Sequence, residues 1–170
     1  MIHARAARAY TLVELIIVIV LLGIAAAMVA PSIGSTDVLR VQSAVRSVVA
    51  DITFAQSDAL ARQQARAIMF DVANNKYSIV EVHGSTLHPE TDTILTRSLR
   101  KVDRNGDSRL TSATFDGTSI LVFDELGGTL QAAGSTAPGS GGTITIEGSG
   151  GIFTLAVEAY TGRITVTRNN

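Results

Sequence analysis

The chain has 170 residues, 46% hydrophobic and 5% aromatic, with no cysteine, no tryptophan and a formal net charge of −1. That length accommodates one membrane-associated segment and one compact domain of ordinary size. The missing cysteine excludes disulfides and thiolate metal sites, and the near-neutral charge is not the footprint of a general nucleic-acid binder.

The first eight residues, "MIHARAAR", contain Arg5 and Arg8 and no acid. Positive-inside bias keeps such a segment cytoplasmic and sends the C-terminal bulk outward. From Leu15 to Ala30 no residue is charged or strongly polar. As a helix this run rises roughly 24 Å, against a hydrocarbon core of about 30 Å. A spanning helix must therefore begin near Tyr10, which carries Glu14 into the membrane or its inner boundary. An unpaired acid costs roughly 2.5–3.5 kcal/mol at the centre of a spanning helix and less toward its ends, so a partner for Glu14 is expected. A secretory signal cleaved near Ala25, Ala26 and Ala27, or a plain signal anchor, also fits the basic and apolar regions. Neither accounts for the acid.

Past Pro31, Ser32–Ser35 reads as a loosening of the chain, with Thr36 or Asp37 capping a renewed helix. Val41, Val45, Val48, Val49, Ile52, Ala55 and Ala59 recur in steps of three and four. They predict an amphipathic helix over 32–66, whose end from Arg62 to Arg66 reads as a solvated last turn. Beyond it the period becomes two. "AIMFDV" and "KYSIVEV" flank the turn pair Asn74-Asn75, and "TILTRSLRKV", "SILVFDE", "GTITIEG", "IFTLAVEA" and "RITVTR" follow as strands. Tyr160-Thr161-Gly162 joins the last two, and Ala132–Gly142 reads as a flexible connection. The fold class is α+β, a long N-terminal helix packed on an antiparallel sheet.

Little in the chain carries chemistry. Asp103, Asn105 and Asp107 open like a calcium loop, yet Ser108 stands where the sharp-turn glycine belongs and Thr114 where the bidentate acid belongs. A polar Asn-Gly turn is the preferred reading. His83, His88 and Glu90 sit among glycine and proline, a loop rather than a helix-borne metal site. The two "GSGG" runs lack the lysine of a phosphate loop, and no catalytic constellation is present, so no enzyme activity and no cofactor is expected. Arg97, Arg100, Lys101, Arg104 and Arg109 form a basic cluster interleaved with acids, read as a solvated strand edge.

Ala9-Tyr10-Thr11-Leu12-Val13-Glu14, with the apolar run, Gly23 and Pro31, resembles the processing motif of type IV pilin-like proteins. Where that family shows Gly before the cut and Phe after it, this chain has Ala9 and Tyr10. The resemblance implies a leader at 1–9, a transmembrane helix at 10–31 with Gly23 and Pro31 as helix breakers, an amphipathic continuation at 32–66 and a periplasmic β domain at 67–170. It further implies cleavage between Ala9 and Tyr10 by a prepilin peptidase that N-methylates Tyr10. Glu14 would then meet the N-terminal ammonium of a neighbouring subunit. Removing the leader takes Arg5 and Arg8 and moves the formal charge from −1 to −3.

"SILVFDELGGTLQ", "GTITIEG" and "FTLAVEAYTGRITV" resemble the H-type pseudopilin domain (GspH/FimT), with Phe123, Gly127, Gly162 and Arg163 in its places. This implies a minor pseudopilin of a type II secretion system in the cell inner membrane, incorporated into the tip of a periplasmic pseudopilus. Its partners would be other major and minor pseudopilins and exported proteins. The alternatives are a minor type IV pilin and a membrane-anchored periplasmic binding domain that does not polymerise. Related minor pilins bind DNA through a Gly-Arg hairpin, which singles out Arg163 and Arg168. The acidic balance favours a solvated edge there over nucleic acid.

Overall fold

The computed structural model describes the backbone of residues 10–29, 35–99 and 107–169, with side chains at 10–27, 38–99 and 107–169. The chain divides into two compact units, Met1–Thr36 and Asp37–Asn170. Ala9, Pro31, Arg100, Lys101, Asp103, Arg104 and Asn105, all singled out in the sequence, lie outside the described residues. So do the side chains of Thr36 and Asp37, the expected caps of the second helix.

The first unit holds helix α1, Leu12–Val29. Its 18 residues rise about 27 Å, just under the hydrocarbon thickness. Among the described residues no helix is long and apolar enough to cross a membrane. Of the span expected over 10–31, Tyr10 and Thr11 precede the first helical turn, and residues 30 and 31 lie outside the described residues. Gly23, expected to break the helix, lies inside it with open space where a Cβ would stand. One glycine costs a helix only about 1 kcal/mol relative to alanine, too little to interrupt this run.

Helix α2 (Ser35–Arg62), which belongs to the second unit from Asp37 on, precedes nine strands among the described residues. Strands β1 (Arg66–Asp71), β2 (Lys76–Glu81), β3 (Thr93–Ser98), β5 (Ile120–Phe123) and β6 (Thr129–Leu130) form one antiparallel sheet in the order β3-β2-β1-β5-β6. Strands β4 (Arg109–Phe115), β7 (Gly141–Gly148), β8 (Gly151–Glu158) and β9 (Ile164–Asn169) form the other, in the order β4-β7-β8-β9. The single sheet expected from the sequence is therefore two. The polar turn expected at Asn105-Gly106 lies outside the described residues, and Arg109–Phe115 beyond it is a strand that the sequence reading did not mark, its alternation in Leu110, Ala113 and Phe115 masked by a bulge.

Val41, Ala44, Val48, Ile52, Ala55 and Ala59 on α2 are buried against both sheets, through Ile68, Ile79, Leu121 and Phe123 of the first and Leu110, Ile144, Ile146 and Leu155 of the second. Each large aliphatic side chain so buried contributes about 1.5–3 kcal/mol. Asn75 ties the sheets together from the β1–β2 turn. Its Nδ2 donates to the Ser108 carbonyl at 2.9 Å and its Oδ1 accepts the Leu110 N–H at 2.7 Å.

α2 ends four residues before the expected Arg66. Gln63 takes a left-handed φ of 50°, its N–H donates to Leu60 O, and the Gln64 N–H reaches back to Ala59 O. This paired closure satisfies the orphan carbonyls of the last turn. It frees Arg66 to begin β1, where the side chain is fully buried, not solvated. Arg66 Nε donates to Asp58 Oδ2 at 2.6 Å, its Nη1 donates to the Gln64 and Ala65 carbonyls, and its Nη2 lies 3.5 Å from Glu81 Oε1. Arg62 donates to the other Asp58 oxygen at 2.9 Å.

On the adjoining sheet edge, Gln56 of α2 donates from Nε2 to the Gly127 carbonyl at 2.6 Å and the Thr161 carbonyl at 2.8 Å. Two turns are thereby held on the helix. Gly162 sits inside this clamp at φ 63°, and a Cβ there would stand 2.6 Å from Phe123 Cε1 and 2.9 Å from Gln56 Nε2.

Burial raises the Asp58 pKa, but hydrogen bonds from Arg62 and Arg66 and their charges outweigh it and hold the carboxyl below its ordinary 3.8. A carboxylate depressed on folding contributes stability that is complete above the unfolded value and lost as pH falls through the folded one. Urea melts are expected to lose stability as pH drops below about 3.8, and Asp58→Asn to flatten that dependence while lowering stability at neutral pH. Gly162→Ala combines a left-handed backbone with a crowded Cβ, and is expected to cost about 1–3 kcal/mol in thermal or urea melts.

Candidate functional site

Thr11 opens α1. Its Oγ1 accepts the Glu14 N–H at 3.2 Å and its carbonyl accepts the Leu15 N–H at 3.2 Å. Thr-x-x-Glu is a capping pattern that satisfies one of the orphan donors of a helix start. The motif's threonine and glutamate thus have a local role as well. Glu14 falls in the first turn, where the positive end of the helix dipole favours a carboxylate.

Tyr10 is 84% exposed, and every described side chain from Leu12 to Ala27 is exposed. The helix is apolar all round apart from Glu14, and such a surface requires lipid or a partner. Among the described residues no cation pairs with the Glu14 carboxylate. An apolar rod with one carboxylate near its start is suited to binding another helix in register.

Three of the four residues matched to the H-type domain, Phe123, Gly127 and Gly162, meet around the Gln56 clamp. Phe123 is fully buried, Gly127 and Gly162 are buried beside Gln56, and Arg163 follows directly. The sequence resemblance thus traces how two turns close on α2.

The basic residues are largely engaged within the chain. Arg97 binds Asp51 with Nε at 2.5 Å and Nη2 at 3.1 Å, and the Tyr77 hydroxyl donates to the same carboxylate at 2.5 Å. Burial, then the Asp51 carboxylate, pushes the Tyr77 phenol far above its usual range. Hydrogen bonding to Asp51 raises the Arg97 pKa despite partial burial. Arg163 pairs with Glu158, holding that carboxyl below its ordinary value. Arg168 donates to the Gly150 carbonyl at 3.0 Å and lies 5.9 Å over the Phe153 ring. Arg109 is exposed at the start of β4.

Of Asp103, Asn105 and Asp107, the ligands of the disfavoured calcium reading, only Asp107 is described, and its carboxylate accepts from the backbone and hydroxyl of Ser149. His83 lies between Asp92, at 3.2 Å, and Glu81, at 3.9 Å, in a loop as expected, and His88 and Glu90 stay exposed. Among the described residues no group of histidine and acid side chains is arranged to hold a metal ion.

Sequence reasoning missed Gln56, Asn75, and the pairings Asp51–Arg97 and Asp58–Arg66. One signal was present. Asp51 and Asp58 stand seven residues apart on one flank of the apolar stripe, a spacing that calls for two cations from the sheet.

Residues 4–30 match the prokaryotic N-terminal methylation motif. No curated protein matches the chain in sequence. Two solved structures share its fold. The minor pseudopilin EpsH from the type 2 secretion system of Vibrio cholerae superposes with a TM-score of 0.53 at 9% identity, over 76% of this chain and 97% of that one. The type IV minor pilin FimU of Pseudomonas aeruginosa does so with a TM-score of 0.50 at 19% identity, over 75% of this chain and 87% of that one. The chain thus carries a prokaryotic N-terminal methylation motif at its start, and its arrangement of helix and antiparallel sheets is a fold shared with these two structures.

Proposed function

We propose that the chain is a minor pseudopilin of a type II secretion system, and that its work is assembly, with no cofactor and no catalysis of its own. The observation that carries this reading is a methylation motif leading into a helix whose described side chains are all exposed. A prepilin peptidase cuts between Ala9 and Tyr10 and N-methylates Tyr10. The helix anchors the protein once in the inner membrane, with the second unit in the periplasm, until it enters the tip of a pseudopilus beside other pseudopilins.

In that setting Glu14 has a function beyond the cap. A carboxylate near the membrane boundary is a liability in an isolated helix. The ammonium created at Tyr10 of an adjacent subunit neutralises it, and in low dielectric the loss of either partner costs several kcal/mol. The pair therefore sets the axial register in which one helix joins the next.

A second reading, a minor pilin of a type IV pilus, is supported by the likeness to FimU, whose identity to this chain is the higher of the two. A DNA-binding form of it is disfavoured by Arg163 and Arg168, both engaged within the chain. In gel shifts across a salt series the full-length protein in detergent is expected to retain no DNA at physiological salt. A salt-sensitive shift lost in Arg163→Ala would favour the pilus reading.

Glu14→Ala is expected to insert in the membrane normally and to lower the fraction recovered in assembled filaments by about tenfold or more. Cross-linking and sedimentation of membranes containing the other subunits measure that fraction. Normal incorporation of the variant would contradict the assigned role.

A further inference from the structure

Edge strands expose backbone N–H and C=O groups that pair with other chains unless the edge is blunted. The two sheets end in four edges, β3, β6, β4 and β9. β3 bulges at Ile94, where its pairing with β2 steps from Leu95 to Thr93. β4 bulges at Thr111, between Leu110 and Ser112. β6 is two residues long, and its Leu130 bridges to Pro138. β9 has none of these protections. Its six residues keep unbroken register with β8, contain no glycine or proline, and five of the six are exposed.

The α2 side of this edge is incomplete. Ile164, Val166 and Arg168 stand opposite Val157, Leu155 and Phe153, which are buried, so these three β9 side chains face α2, while Thr165, Thr167 and Asn169 face away. Val166 is nevertheless 45% exposed. Between β9 and α2 lies a groove of about 470 Å³ with apolar walls from Val49, Ala50, Phe153 and Val166. Its polar lining is Gln42 and Arg46, and no acid lines it. Arg46 is exposed and has no carboxylate partner among the described residues.

We propose that β9 and this groove take up an extended strand from a partner protein, with apolar residues facing α2 and one carboxylate opposite Arg46. The ladder supplies affinity and the groove supplies specificity. A second copy of this chain is the wrong occupant. The α2-facing residues of β9 are Ile164, Val166 and Arg168, so a copy's own strand would set a cation and no carboxylate against Arg46. The surface belongs to the second unit and is independent of the Ala9 cut and of Glu14.

The probe is a fluorescent seven-residue peptide, Thr-Val-Thr-Glu-Thr-Val-Thr, titrated into the full-length protein in detergent micelles. Saturable binding is expected, with hydrogen-exchange protection at alternate β9 amides. Arg46→Glu, at an exposed helix position, is expected to keep the wild-type melting temperature and weaken the peptide about tenfold or more. The same variant should gain binding to the peptide carrying Lys in place of Glu. Glu14→Ala should bind the peptide as wild type does, which separates failure of this proposal from failure of the assembly reading. No saturable binding below about 1 mM would overturn it, as would undiminished binding of a peptide N-methylated along its ladder edge. Protection of β9 that grows with protein concentration alone would also overturn it and assign the edge to a second copy.

Discussion

Valine and alanine recur along one side of α2 from Val41 to Ala59, and both sheets close over that side. The three buried alanines of α2, Ala44, Ala55 and Ala59, are positional. They let strands from two sheets approach one helix closely, while Val48 and Ile52 supply apolar area between them. Everything else in the second unit is arranged to keep that seal in one register. Asp51 and Asp58 receive Arg97 and Arg66 on one flank, and Gln56 holds the Gly127 and Thr161 turns on the other. Asn75 joins the sheets beyond the helix. These are directional contacts set around a non-directional core, a division in which burial supplies most of the stability and hydrogen bonds select the arrangement.

The same economy governs charge. Arg163 and Arg168, singled out for nucleic acid, and Arg97 of the basic cluster are engaged within the chain, on Glu158, on the Gly150 carbonyl and on Asp51. A guanidinium already in a bidentate pair has little left to offer a phosphate. Arg46 differs in standing beside an apolar groove with no acid along it, and there charge and shape call for a partner together.

The α2 face was legible because steps of three and four survive in one stretch of sequence, and six of the seven positions read from it are buried. The β1–β2 and β8–β9 hairpins were legible because Asn74-Asn75 and Tyr160-Thr161-Gly162 are local turn signals between alternating runs. The division into two sheets was not, since it depends on β1 pairing with β5 across some fifty residues. β4 escaped because a bulge at Thr111 breaks its period. Arg66 looked solvated beside Arg62, since nothing local distinguishes a cation that closes a helix from one that leaves it to enter a core. At the N-terminus the motif was plain in the sequence, and the structure adds the cap from Thr11 to Glu14.

That cap returns the account to its electrostatic centre, a carboxylate held at the start of an apolar helix. In the proposed function it gains an intermolecular role once a free amine is made at Tyr10. Mass spectrometry of the protein recovered from its own membrane tests this most directly. The account predicts a mature chain beginning with N-methylated Tyr10. A polypeptide retaining Met1, or one starting beyond Ala25, would contradict it.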